Sequence, residues 1–298
     1  MARAHRCAIM FFMANPQISA DTSPAPRPRR RLWKVLAGLL VAFLALMLTD
    51  SLIAARTEAK ISQQLYEGSH LPKPPEVMLA GFPYVTQALT KELEAVTVTA
   101  KDVPIAGFGD VTVHSSAQYV DVNASQIFTG DIHDAPARKV FHRLQLGVVP
   151  LGKLMGIPDL DVSNKADISP RGGWETEAIF RGTPKGFRAP AIVEMKVRIK
   201  RGDVYLRPVT VIEGPVNKKE GAEIVPADQL DEATTAALMD GFRLKIEKDS
   251  IPFPGIPMRV YVGGGSVFIE AEDYYTTVSI GDLTPPTRPL TEEQRPSL

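Results

Sequence analysis

The chain has 298 residues and one cysteine, Cys7. A lone cysteine has no partner within the chain, so no internal disulfide staples the fold. Stability must come from an ordinary hydrophobic core, for which about 230 residues past the N-terminal region are enough. The chain also lacks net charge, with 34 basic and 34 acidic residues. Seven of the basic residues precede Val35 against a single acid, Asp21, which leaves 27 basic and 33 acidic from Val35 onward. A mildly acidic surface argues against nucleic acid, which favours basic stripes.

Catalytic patterns are missing as well. No G-x-S-x-G elbow marks a serine hydrolase. Gly263-Gly264-Gly265-Ser266 is Gly-rich, but it lacks the Lys-Ser/Thr of a phosphate loop and opens no helix, so it reads as a hairpin turn. Asp131, His133 and Asp134 have the donor types for a metal, but no second cluster completes a site, and they read as a solvated loop. His70, His114 and His142 are scattered. The expectation is a non-enzyme with no catalytic residue, metal or cofactor.

What is present is an uncharged apolar run, Val35 to Thr49, behind Arg29, Arg30, Arg31 and Lys34 and ahead of Asp50. Its nine Leu, Val and Phe residues favour membrane insertion by about 3–5 kcal/mol. The run spans about 22 Å as a helix, short of a bilayer core of about 30 Å. Snorkelling of Lys34 and an interfacial Trp33 lengthen it. The positive-inside rule keeps the N-terminus cytoplasmic and sends residues from about 50 onward across the membrane. An uncleaved anchor is preferred. Ile53-Ala54-Ala55 is a weak A-x-A-like site, which leaves a cleaved signal peptide as the alternative.

Composition divides the chain into a disordered basic cytoplasmic tail (1–31, with Met10 and Met13 as other possible starts), a transmembrane signal anchor or signal peptide (32–49), one domain (50–281) and a Pro-rich disordered tail (282–298). The domain reads mostly as strands. Ala191, Val193, Met195, Val197 and Ile199 alternate with polar or outward residues, the period of a half-buried strand. Gly202-Asp203 turns the chain into a strand over Val204 to Ile212. The same alternation marks Val96 and Val98; Thr176, Ala178 and Phe180; Phe242, Leu244 and Ile246; and Val267, Ile269 and Ala271. Gly172-Gly173 and Gly263 to Gly265 sit where hairpin turns belong. One-sided patterning implies antiparallel sheet.

Helices are expected at about 50–66, starting at Asp50; at about 228–240, capped by Asp228 and ended by Gly241; and briefly over Pro150 to Met155. Val98 to Ile105 echoes Ile246 to Phe253. That echo fits either shared turn chemistry or two related helix-plus-sheet units.

The stretch Val77-Met78-Leu79-Ala80-Gly81-Phe82-Pro83-Tyr84-Val85-Thr86-Gln87 resembles the "G-F-P-F-L-T-Q" signature of the LmeA-like phospholipid-binding family of actinobacteria. The order continues with Leu93 to Ala100, Asp102-Val103-Pro104, Leu151-Gly152-Lys153-Leu154 and Gly156-Ile157-Pro158-Asp159-Leu160. Tyr84 departs from the commoner Phe. The resemblance covers about 50–281.

It implies a strand-rich α+β fold, with a strongly curved antiparallel sheet wrapped around a long helix, similar to tubular lipid-binding domains. It implies binding of phospholipids, phosphatidylinositol-type among them, on the extracytoplasmic (periplasmic) side of the cell envelope. There the protein would support mannan elongation of lipomannan and lipoarabinomannan. The partners implied are phospholipid, membrane and an envelope mannosyltransferase. The alternative is a non-catalytic scaffold that stabilises a membrane glycosyltransferase. The Phe82-Pro83-Tyr84 bend either anchors the core or lines the mouth of a lipid cleft. With it, Phe128, Phe141, Leu144, Leu146, Met155 and Phe253 are the candidate lipid-lining residues.

N-terminal sequencing of protein purified from membranes is expected to start upstream of Val35. A mature terminus just after Ala55 would select the cleaved form.

Overall fold

Two-residue alternation governs most of the chain, because most of its strands have one apolar edge row and one wet one. The computed structural model describes residues 29–165 and 173–287. The tail up to residue 28, Gly172 and the residues after Thr287 lie outside these, as do the readings placed on them. The chain divides into two units, residues 1–46 and 47–298.

The elements in order are α1 (Arg29–Glu67), β1 (Glu76–Ala80), α2 (Gln87–Thr90), β2 (Glu92–Ile105), β3 (Gly109–Asp121), α3 (Ala124–Thr129), β4 (Ala135–Gly147) and α4 (Val148–Met155). After them come β5 (Asp161–Asn164), β6 (Glu175–Gly182), β7 (Ala191–Lys200), β8 (Asp203–Pro215), β9 (Ile224–Pro226), α5 (Glu232–Gly241), β10 (Leu244–Ile246), β11 (Pro257–Gly263) and β12 (Ser266–Val278).

The strands form two antiparallel sheets, ordered β1-β2-β3-β4-β12-β11 and β10-β8-β7-β6-β5, with β9 also pairing to β8. The expected single sheet, strongly curved around a helix, is corrected here: there are two sheets, and neither is closed or strongly curled. The reason lies after β4. Residues 148–155 turn helical and Gly156 takes a left-handed conformation (φ 70°), so the chain leaves the first sheet and starts a second.

One face of the first sheet is largely apolar, broken by Ser115 and His142, and two different covers bury it. At one end Val96, Val98, Ala117, Val120, Ala137 and Val140 meet Ile61 and Leu65 of α1, with Tyr84 and Ile127. At the other end Val103, Val111, Val113, Leu144, Leu146, Val267 and Ile269 meet Phe180, Val193, Met195, Val197 and Leu206 of the second sheet. The residues keep to one face although the strands are long, because left-handed positions at Asp102, Tyr119 and Tyr275 let the strands shift. β2 and β3 lose register between Ala100 and Val103, as a bulge requires.

The second half of α1 also seals the first sheet's edge. Glu58 Oε1 accepts from the Leu79 N–H at 2.7 Å and Ser62 Oγ donates to the Pro75 carbonyl at 2.6 Å. Partners such as these blunt an exposed edge strand. Asp50 is buried, and its two oxygens accept the N–H groups of Tyr84 and Val85, both at 2.8 Å. Asp50 does not start the helix as expected; α1 runs through it, and its side chain serves the loop instead.

Asp231, rather than Asp228, caps α5, accepting from the Thr234 N–H at 2.7 Å, since residues 227–229 form a separate 3-10 turn. Phe242 lies outside the strand expected there, which holds only Leu244–Ile246. The short helix expected over Pro150 to Met155 is α4. The two echoing segments differ locally: Val98 to Ile105 is a bulged stretch inside β2, whereas Ile246 to Phe253 ends β10 and enters a 3-10 turn.

Replacing Asp50 with Ala leaves two N–H groups of the loop without a carboxylate. Each hydrogen bond to a charged group is worth about 1.5–3 kcal/mol, so Asp50→Ala should lower stability by roughly 3 kcal/mol or more. Asp50→Asn, which keeps one acceptor, should cost less. Urea unfolding of the detergent-solubilised full chain measures both.

Candidate functional site

The two apolar cores meet along a seam, and the seam is polar. On β4 the even-numbered Val140, His142, Leu144 and Leu146 share the buried face, which puts His142 among aliphatic neighbours. His142 Nδ1 pairs with Ser115 Oγ of β3 at 2.9 Å. Its ring stacks on Phe253, with centroids 5.6 Å apart and planes 9° from parallel. Nε2 has no hydrogen-bond partner among the described residues. Burial pulls the imidazole pKa from 6.5 down to about 4, with the Asp282 carboxylate opposing.

A cleft of about 590 Å³ opens beside this seam. Gly68, Ser69 and His70 at the end of α1 form one side, Ile251, Phe253 and Pro254 another, and Gly281, Asp282 and Thr284 to Thr287 the third. Its volume lies within the range of about 300–1,000 Å³ typical of small-molecule sites. The Ser69 hydroxyl is buried on its wall with no partner among the described residues. A buried polar atom left so costs about 1–3 kcal/mol. Phe253 supplies an apolar wall. The cleft therefore sets the apolar Ile251, Phe253 and Pro254 beside the polar Ser69, His70, Asp282 and Thr287, the two kinds of contact an amphiphile uses.

A second recess of about 160 Å³ lies on the wet face of the second sheet, lined by Lys196, Arg198, Lys200, Tyr205 and Arg207. It attracts anions, but much of its charge is already engaged: Glu175 pairs with Lys196 at 2.8 Å and lies 3.6 Å from Arg198. Lys200 and Arg207 have no carboxylate partner among the described residues. The larger cleft is the better site, because it has room for part of a lipid and sets apolar walls beside polar ones.

The structure does not bring the nine candidate lipid-lining residues together. Phe253 lines the cleft. Leu144, Leu146 and, in part, Met155 belong to the core between the sheets. Phe141 is odd-numbered on β4 and faces the other way, edge-on to His114 at 6.4 Å and under the Arg143 guanidinium at 5.1 Å. Tyr84 is fully buried in the helix-covered core, its hydroxyl donating to the Ile127 carbonyl. Phe82, joined to Pro83 by a cis peptide bond, is exposed, and Phe128 on α3 is partly so.

The Phe82-Pro83-Tyr84 bend and the cleft also lie at opposite ends of one helical stretch. The bend is bonded to Asp50 and the cleft begins at Gly68, a separation of about 27 Å along α1. Sequence reasoning missed Ser69 and His142; the even spacing of His142 with Leu144 and Leu146 was the available signal. Asp131 and His133 form an exposed pair at 2.6 Å, and among the described residues no third imidazole, thiolate or carboxylate joins them as a metal site.

A family model described as LmeA-like phospholipid-binding matches residues 48–272. No curated protein matches the chain, and no solved structure matches it.

The seam makes stability depend on acid. Below pH 6.5 the unfolded chain takes up a proton on His142 that the folded chain refuses down to about pH 4. Stability should thus fall as pH drops through that window, by roughly 3 kcal/mol in full. His142→Gln should flatten this part of the profile. Urea midpoints for both proteins between pH 7 and pH 4 give the comparison.

Proposed function

Because the chain belongs to the LmeA-like phospholipid-binding family, we propose that it is a membrane-anchored, non-catalytic phospholipid-binding protein of the cell envelope and that the seam cleft is where it holds lipid. The family match is the observation that carries this reading. The cleft adds a physical route: each methylene buried from water contributes about 0.8 kcal/mol, so part of one acyl chain against Phe253 and its neighbours is held with no catalytic group.

The apolar stretch 32–49 is proposed as an uncleaved anchor, with the N-terminus cytoplasmic and the unit from Met47 on the extracytoplasmic side. One helix among the described residues, Leu32–Glu67, is long and apolar enough to cross a membrane. The charge bias before it supports the orientation.

Two finer points belong to the same proposal. The lipids are phosphatidylinositol-type, and holding them supports mannan elongation of lipomannan and lipoarabinomannan, with an envelope mannosyltransferase as the acting partner. Kinship with tubular lipid-binding domains is supported by the long antiparallel sheet with a helix laid along part of its apolar face.

Native mass spectrometry of the full chain, extracted from membranes, should show co-purified phospholipid. It should also show phosphatidylinositol displacing phosphatidylethanolamine in mixed micelles. Gly281 lines the cleft, and a Cβ added there meets nothing within 4 Å. Gly281→Trp should therefore fill the cleft, leave the unfolding midpoint unchanged and reduce the lipid-bound fraction several-fold. An unchanged lipid load in that variant would move the site elsewhere, and a lipid-free wild-type protein would sink the proposal.

A further inference from the structure

We propose that the loop at residues 81–90, with the tip of α3, is a surface that docks into the headgroup–acyl boundary of the bilayer. Its sequence, Gly-Phe-Pro-Tyr-Val-Thr-Gln-Ala-Leu-Thr, holds no charged residue. Its two large polar side chains are turned in, and the exposed Thr86 and Thr90 hydroxyls bond back to the Pro83 and Gln87 carbonyls. Tyr84 is buried and donates to the Ile127 carbonyl. Gln87 is buried, donating to the Ala80 carbonyl at 3.0 Å and accepting the Glu94 N–H at 2.9 Å. The large apolar side chains point out: Phe82 is 66% exposed, Leu89 83%, Val85 38% and Phe128 37%. A soluble surface loop usually has the reverse arrangement, and a contiguous exposed apolar patch marks an interaction site.

The occupant follows from Asp50. Its carboxylate holds the N–H groups of Tyr84 and Val85, so the loop is fastened to the residue directly after the apolar run Val35 to Thr49. Leu52, next along the helix, is also 63% exposed. Where the run leaves the membrane, the loop is therefore within one hydrogen bond of the exit point. Phe82 and Leu89 suit the boundary region, where apolar side chains sink in and backbone polar groups stay near water. The alternative cover, a second copy of this chain, is an outcome of the test.

The inference rests on the run being a membrane span. It does not rest on the cleft holding lipid, so lipid co-purification and loop docking can fail separately.

The test uses the full chain with Cys7→Ser, reconstituted in vesicles of phosphatidylcholine and phosphatidylinositol. A single cysteine is placed by Phe82→Cys, Leu89→Cys or, in the second sheet's β8–β9 hairpin, Glu220→Cys, and labelled with an environment-sensitive fluorophore. Spin-labelled lipids should quench the labels at 82 and 89 several-fold more than the label at 220, at protein-to-lipid ratios where copies do not meet. Unfolding midpoints equal to the parent's confirm that each variant is folded. Equal quenching at all three positions would overturn the proposal. So would signals at 82 and 89 that respond to protein dilution and not to the lipid quencher, which would assign the patch to a second copy.

Discussion

One apolar sheet face, too long for any single cover, is the constraint from which the rest of the structure follows. β3 and β4 have 13 residues each, about 44 Å of strand. The part of α1 from Asp50 to Glu67 extends about 27 Å. A helix of that length leaves a third or more of the face uncovered, and water against that row would cost about 25 cal/mol per Å². The second sheet covers the remainder. Two covers of different kind cannot interlock along their common edge, so the join is where a buried histidine, an unpaired serine hydroxyl and a cleft are found. The cleft is the place where the packing problem has no apolar solution.

The period of two made the strands legible, and so did Gly-rich turns and the short helix at 148–155. Membership in the family was legible in the ordered signature around Phe82 to Gln87. The division into two sheets was not, because alternation shows which face of a strand is buried and says nothing of what buries it. The site was read less well for a related reason. Leu144, Leu146 and Phe253 are apolar for the core as much as for any ligand, and Phe141 differs from Leu144 only in parity. Asp50 looked like a helix start because it ends an apolar run. Its real partners are 34 and 35 residues away, beyond the reach of local pattern.

The same carboxylate bears on processing. Ile53-Ala54-Ala55 resembles a cleavage site, but a cut there would remove Asp50 and leave the Tyr84 and Val85 amides bare. A cut at that site would take away the residue that holds the loop. This fastening supports the proposed uncleaved anchor, as the weakness of the site does.

The helical stretch from Asp50 to Gly68 has a further consequence as a spacer. Its first turn fastens the uncharged loop and its end borders the cleft, so the two are separated by about 27 Å, close to the thickness of a bilayer's hydrocarbon core. With the loop seated in the membrane surface, the cleft need not open onto that surface. Its mouth lies about one membrane thickness along the helix from the loop. Under the two proposals made above, the length of this one helical stretch sets the distance between the membrane contact and the lipid site.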